Sequence, residues 1–382
     1  MIAVAFWLTF GLLLHTYVLY PLLAGLLRHH QTHPVDGDLP SLSVIVPAHN
    51  EAAVLEAKIQ NFYDLDYPTD HIELLVFDDG SSDGTADIAR ANTNDRVRFY
   101  SAKDRLGKAS AVNRLVAEAA HQNLLLTDAN VTMDSASVLC MVKHLSDSNV
   151  GAVTGEVRLI GSDKEFRSGE SLYYQLERRI QQAESSVGSV IGVDGAMYVL
   201  RRGLFEPLPQ DTILDDFLIS MNVLRSAKRI IYEPTATATE TGTLSARQEF
   251  NRRIRIAAGA VQLLRRGNVP RWNQYSIWFQ FLSHKVLRWA SPVLIVFLVV
   301  CSLVLASKGF VYEFILCSEL AGIAIAAVIC VVPKFRATSL GGVVFYFSMS
   351  QVAIAIGLSR GLFNRQPPQW EKAQRVSCSE ES

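Results

Sequence analysis

Three times within the first 130 residues, an apolar run of strand character stops on polar and acidic side chains. SLSVIVPAHNE ends at Glu51, ELLVFDDGSSDGT carries Asp78, Asp79 and Asp83, and LLLTDAN carries Asp128 and Asn130. Helix-like runs separate the three. This alternation constrains the chain to an α/β fold with a doubly wound, mostly parallel sheet, because parallel neighbours need a crossover and the crossover is usually a helix. Open sheets of this kind hold ligands outside the carboxyl ends of their strands. Several carboxylates aimed at one such edge suit a divalent cation beside a phosphorylated ligand. The pattern points to an enzyme.

Strands are predicted over Leu42–Val46, Ile72–Phe77, Val97–Ser101 and Asn123–Thr127, with helices over Glu51–Tyr63, Thr85–Ala91 and Lys108–Ala120 between them. Two more strands, Val150–Val157 and Ala196–Leu200, flank a long polar helix over Glu165–Ser185. A helix over Asp215–Ala227 and a strand over Arg229–Tyr232, ending at Glu233-Pro234, complete the domain.

The hydrophobic content of 49% exceeds what a soluble domain needs, and the excess sits at the two ends. Met1 to Leu27 carries no charged side chain and is long enough to cross a bilayer, which takes about 20 residues. A cleaved signal peptide is the competing reading, but no Lys or Arg precedes the apolar region. Apolar stretches near Trp289–Ala306, Phe310–Val332 and Leu340–Leu358 follow late in the chain, the middle one interrupted by Glu313 and Glu319. Arg28, the basic residues between Arg247 and Arg288, and Lys334 with Arg336 mark the cytoplasmic side, which places the catalytic domain inside a multi-pass (inner) membrane protein. The last stretch is expected to cross, although the tail with Arg360, Arg365, Lys372 and Arg375 then lies outside, against the same rule.

Ser245–Gly267 has one apolar stripe, Phe250, Ile254, Ala257, Val261 and Leu264, with Arg252, Arg253, Arg255, Arg265 and Arg266 on other faces. Before a membrane span such a helix suits the anionic lipid surface, so membrane lipids are expected partners; docking on the catalytic domain is the plainer alternative. The expected organisation is an anchor over residues 1–27, a linker over 28–40, a catalytic domain over 41–244, basic interfacial helices over 245–288, membrane segments over 289–362 and a tail over 363–382. A net charge of −1 gives no support to nucleic-acid binding, and the five cysteines show neither paired nor metal-binding spacing.

Each acidic motif has its own chemistry. Pro47 ends the first strand and delivers Asn50 and Glu51 to the sheet edge. Asp79 can accept charge-assisted hydrogen bonds from a base or ribose; the DDGSSDG turn lacks the flanking helices and later Glu of a calcium-binding hand. Lys103-Asp104-Arg105-Leu106-Gly107-Lys108 brings three basic residues to a helix start, where phosphate is favoured, without the spacing of a P-loop. Asp128 and Asn130 offer hard oxygen ligands for Mg²⁺ or Mn²⁺.

In their order, PAHNE, DDGSSDGT, KDRLGK, TDAN, GAMY and LDD resemble the family 2 inverting glycosyltransferases of GT-A fold, and most of all their membrane-bound branch of cellulose, hyaluronan and chitooligosaccharide synthases. The likeness covers roughly Ser41 to Gly259. It implies a nucleotide-diphosphate sugar bound by Pro47, Asn50, Glu51, Asp79, Lys108 and Asp128, a metal at Asp128 and Asn130, and an acceptor beside Gly195, Ala196 and Arg255. It also implies a catalytic pair, Asp215 and Asp216, with Asp216 as the base, and a saccharide or lipid-linked acceptor in polysaccharide or glycolipid synthesis. The chain departs from the pattern at Asn130 and Asp215, which replace Asp and Glu, and at Arg252 to Ile256, where only Arg255 of the Gln-x-x-Arg-Trp motif survives. A nucleotidyltransferase and a catalytically silent membrane scaffold or export component are the rival classes.

Overall fold

The computed structural model describes residues 1–26, 39–160, 167–241 and 245–369. The predicted linker and the tail beyond 369, with Arg28, Lys372 and Arg375, therefore fall largely outside the described residues.

Eight strands form one sheet: β1 (Leu42–Ala48), β2 (Ile72–Asp79), β3 (Val97–Ala102), β4 (Asn123–Thr127), β5 (Val131–Met133), β6 (Val150–Ile160), β7 (Met197–Arg201) and β8 (Arg229–Thr241). Their order is β3-β2-β1-β4-β7-β6-β8-β5. The β3-β2-β1-β4 half is parallel throughout, as the alternation predicts. In β1, Leu42, Val44, Ile45 and Val46 are all inaccessible to solvent; burying such side chains contributes about 1.5–3 kcal/mol each, which is why the run carries no alternation.

The other half is mixed, and there the mostly parallel expectation gives way. β7 runs antiparallel to both β4 and β6, β6 and β8 are parallel, and β5 lies antiparallel on the outer edge of β8. The reversal positions the site. It pairs Thr127, the last residue of β4, with Met197, the first of β7, so the Gly195-Ala196 turn lands beside Asp128. Likewise Glu240, near the end of β8, pairs with Val131 and so comes beside Asn130. β8 also outruns its predicted end at Glu233-Pro234. The register jumps from Thr154–Tyr232 to Glu156–Thr237, and this irregularity absorbs the proline.

Helices cover both faces. Ala52–Tyr63, Thr85–Ala91 and Ser137–Lys143 pack on one; Lys108–Glu118, Asp215–Arg225 and Ala246–Arg265 pack on the other. The second core runs on without a break into Phe281 and Trp289, whose rings contact Phe217. Among the described residues, four helices are long and apolar enough to cross a membrane: Ile2–Leu26, Tyr275–Lys308, Phe310–Val331 and Ser339–Leu362. The first two each contain a π-helical turn, His15–Leu19 and Phe281–Val286, joined by a 2.9 Å hydrogen bond between His15 and Ser283. Such turns rotate the side chains that follow them and recur at functional sites.

Two contacts at the membrane side go beyond the sequence pattern. Ala246–Arg265 docks on the catalytic domain, the plainer of the two readings, while Arg252, Arg265 and Arg266 stay exposed. Ile254, Ala257, Ala258 and Leu263 are buried, and Gly259 sits against Leu214, where a Cβ would come within 2.5 Å of Leu214 Cγ. The helix is clamped between the catalytic domain and Ser339–Leu362, and its small residues make that sandwich possible. The last helix keeps the chain beside the catalytic domain. Gly357 and Gly361 press on the backbone of Ile254 and Ala258, Arg265 donates to the Leu362 carbonyl at 3.0 Å, and Arg255 donates to the Pro368 carbonyl at 2.8 Å. Residues 362–369 therefore lie against the catalytic domain.

Candidate active site

At the end of β1, Asn50 adopts a left-handed backbone (φ 56°) that lets it grip the neighbouring turn. Its N–H donates to Ser81 Oγ at 2.8 Å and its Oδ1 accepts from Ser82 N at 2.9 Å. His49 Nδ1 lies 2.8 Å from the Asp79 carbonyl oxygen. Asp79, buried at the end of β2, accepts from Leu106 N at 2.6 Å and Gly107 N at 2.8 Å. Gly80 has φ 67°, and a Cβ there would lie 2.9 Å from Arg105 N, so the turn and the basic loop need glycine to approach this closely. Asn50 and Asp79 thus shape the pocket by bonding to its backbone. Asp79 also lines the small hollow there, of about 50 Å³, with Pro47, Glu51, Arg105, Lys108 and Asp128.

That hollow adjoins a cavity of about 1210 Å³ holding Asp128, Lys108, Gly195, Ala196, Asp215, Asp216 and Arg255. Lys108, at the start of its helix, is 2.9 Å from Asp128 and 3.6 Å from Asp215. Burial works against its charge, but Asp128 and then Asp215 outweigh it and hold the ammonium well above its ordinary pKa. Asp215 and Asp216 occupy the first turn of Asp215–Arg225, where the helix dipole favours carboxylates. Asp216 nevertheless has its pKa raised to about 6, by burial first and by Asp215 second, with Lys108 opposing. Its Oδ1 accepts from Phe217 N at 2.7 Å. Gly195 backs directly onto it: a Cβ at 195 would stand 2.7 Å from Asp216 Oδ2.

Asp194, Glu240 and Lys58 complete the site, and sequence reasoning missed all three. Asp194 immediately precedes the Gly-Ala pair, which was the available signal. Glu240 lies in a TATATET run whose alternation carries no chemical mark. Asn130 Nδ2 donates to Glu240 Oε1 at 3.1 Å. Burial raises the carboxyls of both Asp194 and Glu240, and the Asp128 charge adds to it. From behind, buried Lys58 donates to Thr127 Oγ1 at 3.0 Å and to the Val131 carbonyl at 2.6 Å, clamping the turn that presents Asp128. Burial lowers its pKa to about 7, against the pull of Asp128.

The donor set fits a hard divalent cation shared with a ligand. It is all oxygen, and the Asp128 charge helps burial to raise the pKa of Asp194 and Glu240, which a cation relieves. Among the described residues, no cluster of three or more His, Cys, Asp or Glu forms a closed metal cage. Mg²⁺-type sites commonly take one or two carboxylates and complete their shell with substrate phosphates.

Residues 43–208 match the family model of Glycosyl transferase family 2. That segment is similar to the family 2 glycosyltransferases. Over 235 residues the chain is 28% identical to a probable glycosyltransferase, YdaM, of Bacillus subtilis (strain 168), covering 58% of this chain and 56% of that one. It is 24% identical over 235 residues to a poly-beta-1,6-N-acetyl-D-glucosamine synthase of Staphylococcus aureus (strain COL), covering 60% and 57%. The matches thus span little more than half the length of these relatives. The chain shares the GT-A fold of a mannosyltransferase from Pyrobaculum calidifontis, solved with GDP-Man and Mn²⁺. The TM-score is 0.73 and the identity 22%, over 95% of this chain and 100% of that one.

Proposed function

We propose that this chain is a membrane-anchored, inverting glycosyltransferase that moves a sugar from a nucleotide-diphosphate sugar to a hydroxyl of a saccharide or lipid-linked acceptor, with its catalytic domain on the cytoplasmic side. The observation that carries the reading is Asp216: a half-buried carboxylate of raised pKa, seated on Gly195 and sharing one cavity with Asp128 and Lys108.

Near neutral pH, Asp216 takes the proton of the acceptor hydroxyl as that oxygen attacks the anomeric carbon. The bond from that carbon to the diphosphate oxygen breaks in the same displacement, and configuration inverts. The nucleoside diphosphate leaves with the bonding pair. A positioned base of this kind contributes about 10²–10⁴-fold. Lys108 faces the departing diphosphate, while Asp79 and Asn50 hold the loop that frames it. A divalent cation would be held by Asp128, with Asn130 and Glu240 beside it, and when bound it supplies charge neutralisation to the leaving group. Relatives named as a glycosyltransferase and a poly-beta-1,6-N-acetyl-D-glucosamine synthase support the reaction class, and the GDP-Man and Mn²⁺ of the Pyrobaculum structure support a nucleotide-sugar donor and a metal.

The test is a screen of the purified full chain against sugar nucleotides, with and without chelator. Release of a nucleoside diphosphate supports the reading. Release of pyrophosphate instead identifies a nucleotidyltransferase.

A further inference from the structure

Asp215 and Asp216 open a helix whose N-cap residue, Leu214, offers no side-chain acceptor to the first turn; Ser, Thr, Asp or Asn would. The direction in which the two carboxylates point is therefore set by whatever holds the residues before them. Those residues, 211–214, lie along one face of Ala246–Arg265.

Arg255, Gly259, Gln262 and Arg266 follow one another at spacings of four, three and four, which brings them to that face. Each meets the segment. Arg255 Nη2 donates to the Ile213 carbonyl at 2.9 Å. Gly259 receives Leu214, and a Cβ there would stand 2.5 Å from Leu214 Cγ and 3.0 Å from Ile213 Cγ2. Gln262 bonds in both directions: its Oε1 accepts from Ile213 N at 3.0 Å, and its Nε2 donates to the Asp211 carbonyl at 2.8 Å. Arg266 pairs with the Asp211 carboxylate. Ile213, two residues before Asp215, thus has its N–H and its C=O both bonded to side chains of this one helix.

Arg255, expected beside an acceptor, uses its two terminal nitrogens on main-chain carbonyls, one on Ile213 and the other on Pro368. Past the clamp, Asp216 Oδ2 is seated so closely on Gly195 that no Cβ would fit, and Asp215 reaches Lys108 at 3.6 Å. Neither contact survives a shift of the helix start, and a misplacement of about 1 Å costs about 10²-fold in rate. Ile213, Leu214 and Arg255 line the large cavity, which runs on to Arg288 and Tyr346 at the apolar helices; Gln262 is not among its lining residues. Any effect of Gln262 on turnover therefore passes through the segment it holds.

We propose that Gln262, with Arg255, is a positioning residue for the transfer reaction: together they fix both backbone groups of Ile213 and so aim Asp216 at the acceptor hydroxyl. This rests on the glycosyltransferase reading and adds to it a residue that touches no substrate.

The experiment uses the full chain in phosphatidylcholine nanodiscs with Mn²⁺ and whichever UDP-, GDP- or dTDP-sugar the wild type turns over fastest. Release of nucleoside diphosphate gives kcat and its pH profile, calorimetry gives nucleoside diphosphate affinity, and thermal unfolding reports stability. Gln262→Met should lower kcat about tenfold and leave nucleoside diphosphate affinity within about twofold. It should also move the acid limb of the profile to lower pH, as Asp216 loses part of the burial that raises it. Because both side chains act on Ile213, Gln262→Met combined with Arg255→Gln should lose little more than the worse single variant. Where Gln262→Met unfolds well below the wild type, Gln262→Glu, which keeps an acceptor for the Ile213 N–H, decides on the same split: kcat lowered about threefold, nucleotide affinity kept. Unchanged kcat, a loss matched by nucleotide affinity, or a loss in Gln262→Met with an unmoved acid limb would overturn the proposal. So would losses that simply multiply in the double variant, since Arg255 would then act elsewhere than on Ile213. Turnover of no sugar nucleotide by the wild type would instead sink the transferase reading beneath it.

Discussion

The two ends of the cavity are built from opposite materials. At the sheet edge, polar groups come from residues adjacent in sequence to strand ends and bond to one another over short loops, as Asn50 does with Ser81–Ser82 and Asp79 with Leu106–Gly107. At the membrane side, charged groups are also held by elements far away in the chain, as Glu177 is by Lys285 and Arg288. The first end is fixed by local turn chemistry and the second by helix docking. The sheet-edge hollow is therefore preformed, whereas the membrane-side end depends on how the apolar helices pack.

The largest effect that could break this contrast is at the base. Asp216→Asn should lower turnover by about 10²–10⁴-fold while nucleoside diphosphate affinity, read by calorimetry, stays within about twofold. Retention of most of the activity would remove Asp216 from its role. The pH profile comes next. With its pKa raised to about 6, Asp216 is deprotonated and competent above that pH; turnover should fall about tenfold per unit below it, and an acid limb near 4 would mean that the carboxyl is not buried during reaction. Gly195→Ala would put a methyl 2.7 Å from Asp216 Oδ2. Displacing the base should cost about 10- to 10²-fold in kcat with little change in nucleotide affinity. Asp79→Ala should do the reverse, weakening nucleotide binding by about tenfold through two lost backbone hydrogen bonds with a smaller loss in kcat at saturation. The smallest effect is at Glu240→Gln, expected to weaken Mn²⁺ binding by a few fold in the presence of nucleoside diphosphate, measured by electron paramagnetic resonance. Unchanged Mn²⁺ affinity would take Glu240 out of the metal's surroundings.

The same contrast governs what the sequence made legible. The parallel half of the sheet and the site residues at its strand ends were readable because each motif sits directly after an apolar run. Asp215 and Asp216 were readable as a pair at a helix start. Asp194 and Glu240 were not, because antiparallel β7 and the outrun of β8 past Pro234 depend on pairing between distant strands. The surroundings of Ala246–Arg265 were harder to read for a related reason. An amphipathic pattern says which faces differ, but not whether a charged face meets lipid headgroups or a buried cavity. The last helix shows the limit of hydropathy: length and composition allow crossing, while Gly357 and Gly361, unremarkable in sequence, let it lie along Ala246–Arg265.

The return of the chain to Arg255 has a consequence for biogenesis. Pro368 rests on Arg255 and Gln369 lines the hollow beside Asp128, so one wall of the donor pocket is supplied more than a hundred residues after the sheet domain ends. Chains grow at about 5–20 residues per second, which leaves the catalytic domain outside the ribosome for seconds before that wall exists. During that interval the last apolar helix has yet to dock, and the nascent enzyme holds a sheet edge with its carboxylates in place but no finished pocket. Completion of that hollow is thereby tied to docking of the last apolar helix.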